Sequence, residues 1–465
     1  KIVYIQMKKF IETLRNIWSI QELRERILLT LGLVLIYRLG TYIALPGLDP
    51  NGIAEVNKQG GSGILGLVNI FAGGAFSRAS IFALGIMPYI SASIAIQLLT
   101  MVVPQFQKMQ KEGESGRRQL NQWTRILTVA VTLVQASAYV AYLTAVDGAA
   151  IVISKSLFTI STMVVLTTGT LFVMWMGEKI TDKGLGNGIS IIIMVGILAR
   201  FPGAIIQEVS SRLTSGGLLA FALEAAFLIL IVMAVILLVQ GTRRIPVQYA
   251  KRQVVQSSSS FFGGRATQQS FAGEGSRQYL PIKLNAAGVM PIIFAQAIMF
   301  LPATIAQFVP GVNQNNDFIM ALSDIRGFWY NALNLILIVA FTFFYTALIV
   351  NPTQMSDEMK RSNGFIPGVT PGQKTAEFID AVVSRITFPG AVFLGIIAIM
   401  PSLVMLFGVD QSFALFFGGS SLIIMVGVIL DTLQSIDTYL LNKHYDGLSS
   451  AGRIRGRQSF ADQSI

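Results

Sequence analysis

The sequence contains no cysteine and a single histidine, His444, in 465 residues. Without thiols there is no disulfide, no thiolate nucleophile and no iron–sulfur ligation, and Cys/His zinc sets are excluded as well. His444 stands in a polar stretch near the C-terminus and reads as a surface side chain. No metal site and no cofactor is expected. Charge is also scarce: Asp, Glu, Lys and Arg make up 13% of the chain, where a soluble domain carries about 25%. That is too little to cover the surface of a soluble protein of this size, and a 53% hydrophobic content excludes disorder. There is no Gly-x4-Gly-Lys-Ser/Thr loop, so P-loop nucleotide hydrolysis is not expected. The run Gly184-Leu185-Gly186-Asn187-Gly188 is glycine-rich but lacks the spacing and strand context of a dinucleotide site.

What is present is the composition of a polytopic membrane protein. A helix needs about 20 apolar residues to cross the hydrocarbon core. Ten stretches qualify: Ile27–Leu45, Ala79–Val103, Ile126–Val146, Leu157–Met176, Gly188–Ile206, Leu218–Val239, Asn285–Val309, Phe328–Val350, Ile386–Phe407 and Phe413–Leu430. The fifth is interrupted by Arg200 and Pro202. The first is too long for a secretory signal and no small-residue cleavage site follows it, so no signal peptide is expected. With Arg38 and Arg78 set aside, Lys and Arg divide 28 to 5 between alternate connections. The positive-inside rule then puts both termini in the cytoplasm. The basic face orients the chain, and it also offers a docking surface for an acidic or RNA-rich partner. Of the acidic residues only Glu224 falls within a stretch and Asp431 directly follows the last; both are near ends, where snorkelling or capping accounts for them. Arg38 reads as an outer-leaflet or inter-helix contact. So few buried charges argue against an ion-driven pump.

Five spans precede the polar stretch around residues 207–217 and five follow, the arithmetic of an inverted repeat. The predicted divisions are residues 1–26 (cytoplasmic), 27–206 (spans 1–5), 207–434 (spans 6–10, cytoplasmic loops 240–284 and 351–385) and 435–465 (cytoplasmic tail). The second span of each half carries one pattern: Gly85-Ile86-Met87-Pro88-Tyr89-Ile90 and Gly288-Val289-Met290-Pro291-Ile292-Ile293. Proline lacks an N–H and crowds the preceding turn, so both helices are expected to bend here. Ile86 and Ile90 are four apart, as are Ile189 and Ile193, so each pair shares a helix face. Any one isoleucine is by default core or lipid packing, but an aliphatic ring closes a pore by excluding water. The segment Ile64–Gly74 is apolar, glycine-rich and too short to cross. It is expected to be a movable re-entrant piece, since Ser77-Arg78 leads directly into the next span.

Several long stretches resemble the SecY family, the central channel subunit of the bacterial protein translocase. They are Lys111-Glu112-Gly113-Glu114-Ser115-Gly116-Arg117-Arg118, the run Ser80 to Ser93, Gly186 to Ile193, Arg243-Arg244-Ile245-Pro246-Val247-Gln248-Tyr249-Ala250 and Leu280 to Gly288. The resemblance covers nearly the whole chain. It implies an all-α polytopic fold of ten spans in two inverted five-helix halves, a clamshell around an hourglass pore, with a re-entrant plug helix over about residues 64–76. The plug residues would be Ile64, Leu65, Leu67, Val68, Asn69, Ile70 and Phe71. The pore ring would be Ile86, Ile90, Ile189, Ile193, Ile293 and Ile424. The lateral gate would include Gln97, Asn285, Pro88 and Pro291. Arg243, Arg244, Lys251 and Arg252 would dock the ribosome and the motor. The implied function is to pass unfolded secretory proteins across the cytoplasmic membrane and to release transmembrane segments sideways, without enzymatic activity. The implied partners are the SecE and SecG subunits, the SecA ATPase motor, the ribosome, signal sequences and nascent chains, and membrane lipid.

Two features depart from the family pattern. Loop 351–385 reads Pro367-Gly368-Val369-Thr370-Pro371-Gly372, with Thr370 where an arginine is usual, so that contact does not carry over. Loop 240–284 is long, and its middle, residues 256–275, has a flexible Ser/Gln/Gly composition with Phe261, Phe262 and Phe271. Two other classes make demands that the sequence does not meet. A secondary transporter on a five-plus-five repeat needs a charged midplane site, and an intramembrane enzyme needs catalytic groups within the spans; neither is found.

Overall fold

Apolar length determines most of the structure. The structure, a computed structural model, describes residues 18, 20–48, 69, 72–145, 151–214, 217–249, 278–296, 298–299, 324 and 326–451. They fall into two compact units, one within 1–207 and 424–465, the other within 208–303 and 315–423.

In the first unit, α1 (Gln21–Gly40) leads to a turn-rich stretch over residues 72–86 and then to α2 (Met87–Val102). A short helix, α3 (Pro104–Lys111), leaves α2 at about a right angle, with a bend of 100°. Pro104 explains the bend, because the residue before a proline is pushed to extended geometry, and Val103 has φ −98° and ψ 119°. Helices follow: α4 (Glu114–Ala145), α5 (Lys155–Lys183), α6 (Gly188–Leu198) and α7 (Phe201–Thr214), the last running into the second unit's residue range from Glu208 on. The break between α6 and α7 falls at Ala199-Arg200, where the interruption was expected.

The second unit contains α8 (Leu218–Gln240), strands β1 (Thr242–Tyr249) and β2 (Gln278–Lys283), a helical stretch from Met290, and α9 (Phe328–Ile349). Then come α10 (Pro352–Arg361), β3 (Gly364–Phe365), α11 (Gln373–Leu406) and the single turn α12 (Gln411–Ala414). The last helix, α13 (Gly419–Ala451), runs from this unit's residue range into that of the first.

Among the described residues seven helices are long and apolar enough to cross a membrane, or eight with the bent pair α2–α3. These correspond to eight of the ten predicted stretches. The first predicted stretch is helical over 21–40 rather than 27–45. Its charged first turns (Glu22 to Arg26) and Arg38 leave no uninterrupted apolar run of spanning length. The seventh continues beyond residue 299, outside the described residues.

To the helical fold the structure adds a three-stranded antiparallel sheet, ordered β2-β1-β3, built from the two predicted cytoplasmic loops. Its signal is alternation: Ile245 and Val247 are buried while Arg244 and Pro246 face out, and Ile282 is buried between exposed Pro281 and Lys283. These side chains share a core with Met359, Ile366, Ile379 and Val383. The loops are therefore one packed module, including the start of α11. The stretch 256–275 lies outside the described residues.

Candidate functional site

The repeated Gly-x-Met-Pro pattern folds the same way in both units. Gly85 has φ 55° and Gly288 φ 63°, the left-handed region that L-residues avoid. The Gly85 N–H donates to Phe82 O at 2.9 Å, and the Gly288 N–H donates to Asn285 O at 3.4 Å. A helix then starts at Met87 or Met290, and its first i→i−4 bonds run from Ile90 to Ile86 (3.1 Å) and from Ile293 to Val289 (3.4 Å). Pro88 and Pro291 each stand second in their helix. There a missing N–H has no intrahelical partner to lose, so the proline starts the helix. The expected proline kinks are therefore corrected: the chain is unwound before the proline, and the glycine makes the turn.

A second repeat went unnoticed in the sequence reading, though it is plain once aligned. Ser190-Ile191-Ile192-Ile193-Met194-Val195-Gly196 on α6 matches Ser421-Leu422-Ile423-Ile424-Met425-Val426-Gly427 on α13. The helix begins two residues earlier in each case, at Gly188 and Gly419. Under these two repeats Ile90 corresponds to Ile293 and Ile193 to Ile424. Local packing sets each of them. Gly186 takes φ 62°, and the Asn187 carboxamide caps α6 by accepting from the N–H groups of Ile189 (3.1 Å) and Ser190 (3.3 Å). A Cβ on Gly188 would collide with the Gly177 carbonyl, so glycine lets α6 lie directly on α5. This accounts for the Gly-Asn-Gly run. In the second unit Gln296 Nε2 donates to Ser420 Oγ at 2.6 Å, tying the helix after Met290 to the start of α13. Ile86, Ile193 and Ile424 are buried, and Ile90, Ile189 and Ile293 are half-buried.

Of the predicted plug residues, Ile64, Leu65, Leu67, Val68, Ile70 and Phe71 lie outside the described residues. Asn69 is buried. Its backbone carbonyl accepts from Gly74 N (2.7 Å) and its side-chain Oδ1 from Ser77 N (3.1 Å), closing a turn in which Gly73 and Gly74 have φ 65° and 84°. This turn is anchored. Tyr139 on α4 donates to Phe76 O at 2.7 Å, and a Cβ on Gly73 would stand 3.0 Å from Gly196 Cα on α6. Arg38 and Arg78 both donate to Gly73 O, at 3.3 and 2.8 Å. Burial lowers the Arg78 pKa from its usual value, opposed by the neighbouring Tyr42.

Of the predicted gate residues, Gln97 is half-buried on α2 and donates to Ser93 Oγ at 3.3 Å. Asn285 is buried; its amide donates to Gly288 O at 2.9 Å, so it braces the Gly288 turn. On the sheet module Arg243 and Arg244 are exposed on β1, while Lys251 and Arg252 lie outside the described residues. Thr370 is exposed, and its carbonyl accepts from Thr375 Oγ1 at 2.9 Å.

Glu224 departs from the expected snorkelling or capping role. Arg212 donates to Glu224 Oε1 (2.6 Å) and to Glu208 Oε1 (2.8 Å), and Glu208 Oε2 accepts from Asp410 N at 2.9 Å. The cluster is largely buried and fastens the loop before α12 to α7 and α8. Only the 208–212 spacing, one helical turn, was visible in sequence; Glu224 joins through the fold.

Spanning helices, an unwound proline start repeated in two halves, and an isoleucine repeated with each define a polytopic helical membrane protein built by internal duplication. The SecY family model matches residues 80–433. The protein translocase subunit SecY of Streptomyces galbus is 41% identical over 438 residues, covering 92% of this chain and 97% of the relative. That of Mycobacterium tuberculosis strain H37Rv is 40% identical over 461 residues, covering 95% and 99%. The chain belongs to the SecY family. Its fold is also that of a structure described as a protein conducting channel (TM-score 0.65, 14% identity, 93% of this chain and 95% of the other). Sec61 in the canine ribosome-channel complex is similar as well (TM-score 0.61, 14% identity, 93% and 95%).

Proposed function

We propose that this chain is the channel subunit of a protein translocase. It passes unfolded secretory chains across the bacterial cytoplasmic membrane and releases apolar segments sideways into lipid. Both termini are cytoplasmic, as the 28-to-5 division of basic residues requires. The chain has no catalytic role of its own and works with SecE and SecG, with the SecA motor and with the ribosome.

In this reading Ile86, Ile90, Ile189, Ile193, Ile293 and Ile424 ring the narrow point. The observation that carries it is the double repeat: four of the six fall into two pairs, Ile90 with Ile293 and Ile193 with Ile424, each following the same local motif. Aliphatic side chains suit the task. They grip an extended chain without reading its sequence, and they exclude water and ions when it is absent. The segment 64–76 is the plug, anchored at its C-terminal end by the Asn69–Ser77 turn. Gln97, Asn285, Pro88 and Pro291 belong to the lateral gate, where polar contacts worth about 1 kcal/mol suit a seam that opens. The packed sheet module presents Arg243 and Arg244 to ribosomal RNA or motor, and Lys251 and Arg252 are assigned the same docking role. The four proposed divisions are those given by the spans, 1–26, 27–206, 207–434 and 435–465.

The test is crosslinking of a stalled secretory chain to photoreactive residues placed at 86, 193 and 293. Crosslinks at all three are expected; none at any of them would overturn the ring.

A further inference from the structure

Among the described residues one charge cluster has no anionic partner. Where α1 ends, two guanidinium groups close on one ring: the Arg78 carbon lies 4.3 Å and the Arg38 carbon 5.4 Å from the Tyr42 centroid. Arg38 also donates to the Tyr42 hydroxyl at 3.3 Å, and both arginines donate to Gly73 O. All of these partners are neutral. Arg78 Nε is buried without a hydrogen bond. Among the described residues no ion pair includes Arg38 or Arg78. Cations gathered with only neutral acceptors repel one another until an anion joins them.

The surroundings indicate which anion. Tyr42 is 63% exposed; Leu35 and Leu39, one helical turn apart on α1, are 61% and 60% exposed, and Ile43, in the turn that follows the helix, is 55% exposed. Tyrosine and arginine at the end of a lipid-facing helix sit at headgroup level, and the planar fork of arginine fits phosphate oxygens. We infer that Arg38, Arg78 and Tyr42 hold the phosphate of an anionic phospholipid whose acyl chain lies along Leu35, Leu39 and Ile43. The inference does not depend on the channel reading, and both arginines also hold the Gly73 carbonyl of the turn assigned above to the plug.

The full-length chain, purified with its partner subunits in detergent, would be incubated with photoactivatable phosphatidylglycerol, and the crosslinked peptide around residues 35–43 quantified. Arg38→Gln with Arg78→Gln should lower that crosslink about tenfold, since charge-assisted contacts are the strong ones. Arg38→Gln alone, at a half-exposed position, should lower it severalfold and serves if the double variant does not fold. Excess phosphatidylglycerol should compete, while inorganic phosphate and phosphatidylcholine should compete poorly. Unchanged crosslinking in a folded Arg38→Gln variant would leave the arginines as mere supports of the Gly73 turn and overturn the inference. Equal competition by inorganic phosphate, meaning a small-anion site, or by phosphatidylcholine would overturn it too.

Discussion

Replacing Gly85 or Gly288 by alanine isolates the backbone turn that precedes each proline-started helix. At Gly288 a Cβ would meet nothing within 4 Å, and at Gly85 its nearest neighbour, Ala72 Cα, would be 3.6 Å away, an ordinary contact. Neither substitution is crowded, so the loss comes from φ alone. An L-residue in the left-handed region costs roughly 1–2 kcal/mol, about a 5- to 30-fold change in the ratio of folded to unfolded protein. Gly188→Ala makes the contrast. Its φ is that of a helix, but the new Cβ would fall on the Gly177 carbonyl, so α6 would have to move off α5 and the loss should be larger. Asparagine separates the two causes, because it tolerates the left-handed region. Gly288→Asn should therefore lose less stability than Gly288→Ala, whereas Gly188→Asn should lose more than Gly188→Ala. The assay is equilibrium denaturation of the purified complex in mixed micelles, followed by tryptophan fluorescence. Equal losses for Ala and Asn at 288, or none for either, would refute the argument that φ is what the repeated glycine supplies.

Ile193→Asn combined with Ile293→Asn should raise the ion conductance of the idle channel in planar bilayers, since amide groups let the narrow point wet; unchanged leak would count against the ring. Reversing Arg243 and Arg244 to Glu should weaken ribosome binding, measured by co-sedimentation, and flatten its salt dependence; full binding at low salt would remove both from the docking surface. Arg212→Met should be strongly destabilising, by roughly 3–5 kcal/mol, because it strands two buried carboxylates. Adding Glu208→Gln and Glu224→Gln should recover much of that loss in the same denaturation assay.

Most of the helical fold was legible in the sequence, because a lipid environment demands about 20 apolar residues and internal hydrogen bonding. Helix ends were less so. Helices α4, α5, α11 and α13 run past their apolar stretches, since a helix satisfies its own backbone hydrogen bonds and continues into water at little cost. The sheet was missed because Thr242–Tyr249 and Gln278–Lys283 are short and separated by a long polar stretch, so their alternation had no visible partner. Pro88 and Pro291 were read as kinks because a proline inside an apolar run looks the same whether the helix begins before it or at it. The Ile193/Ile424 repeat, by contrast, was in plain sight and needed only alignment of the halves.

By itself the sequence determined most of the spans and the duplicated motifs, because hydrophobic length and local repetition are properties of the chain read along its length. Only the tertiary structure decided which proline starts a helix, which loops share a core, and that Glu224 answers to Arg212. It also brought Arg38 and Arg78, forty residues apart, against one tyrosine. The shared core, the Glu224 contact and the approach of Arg78 to Tyr42 depend on groups separated in sequence meeting in the fold, and no local pattern encodes that meeting.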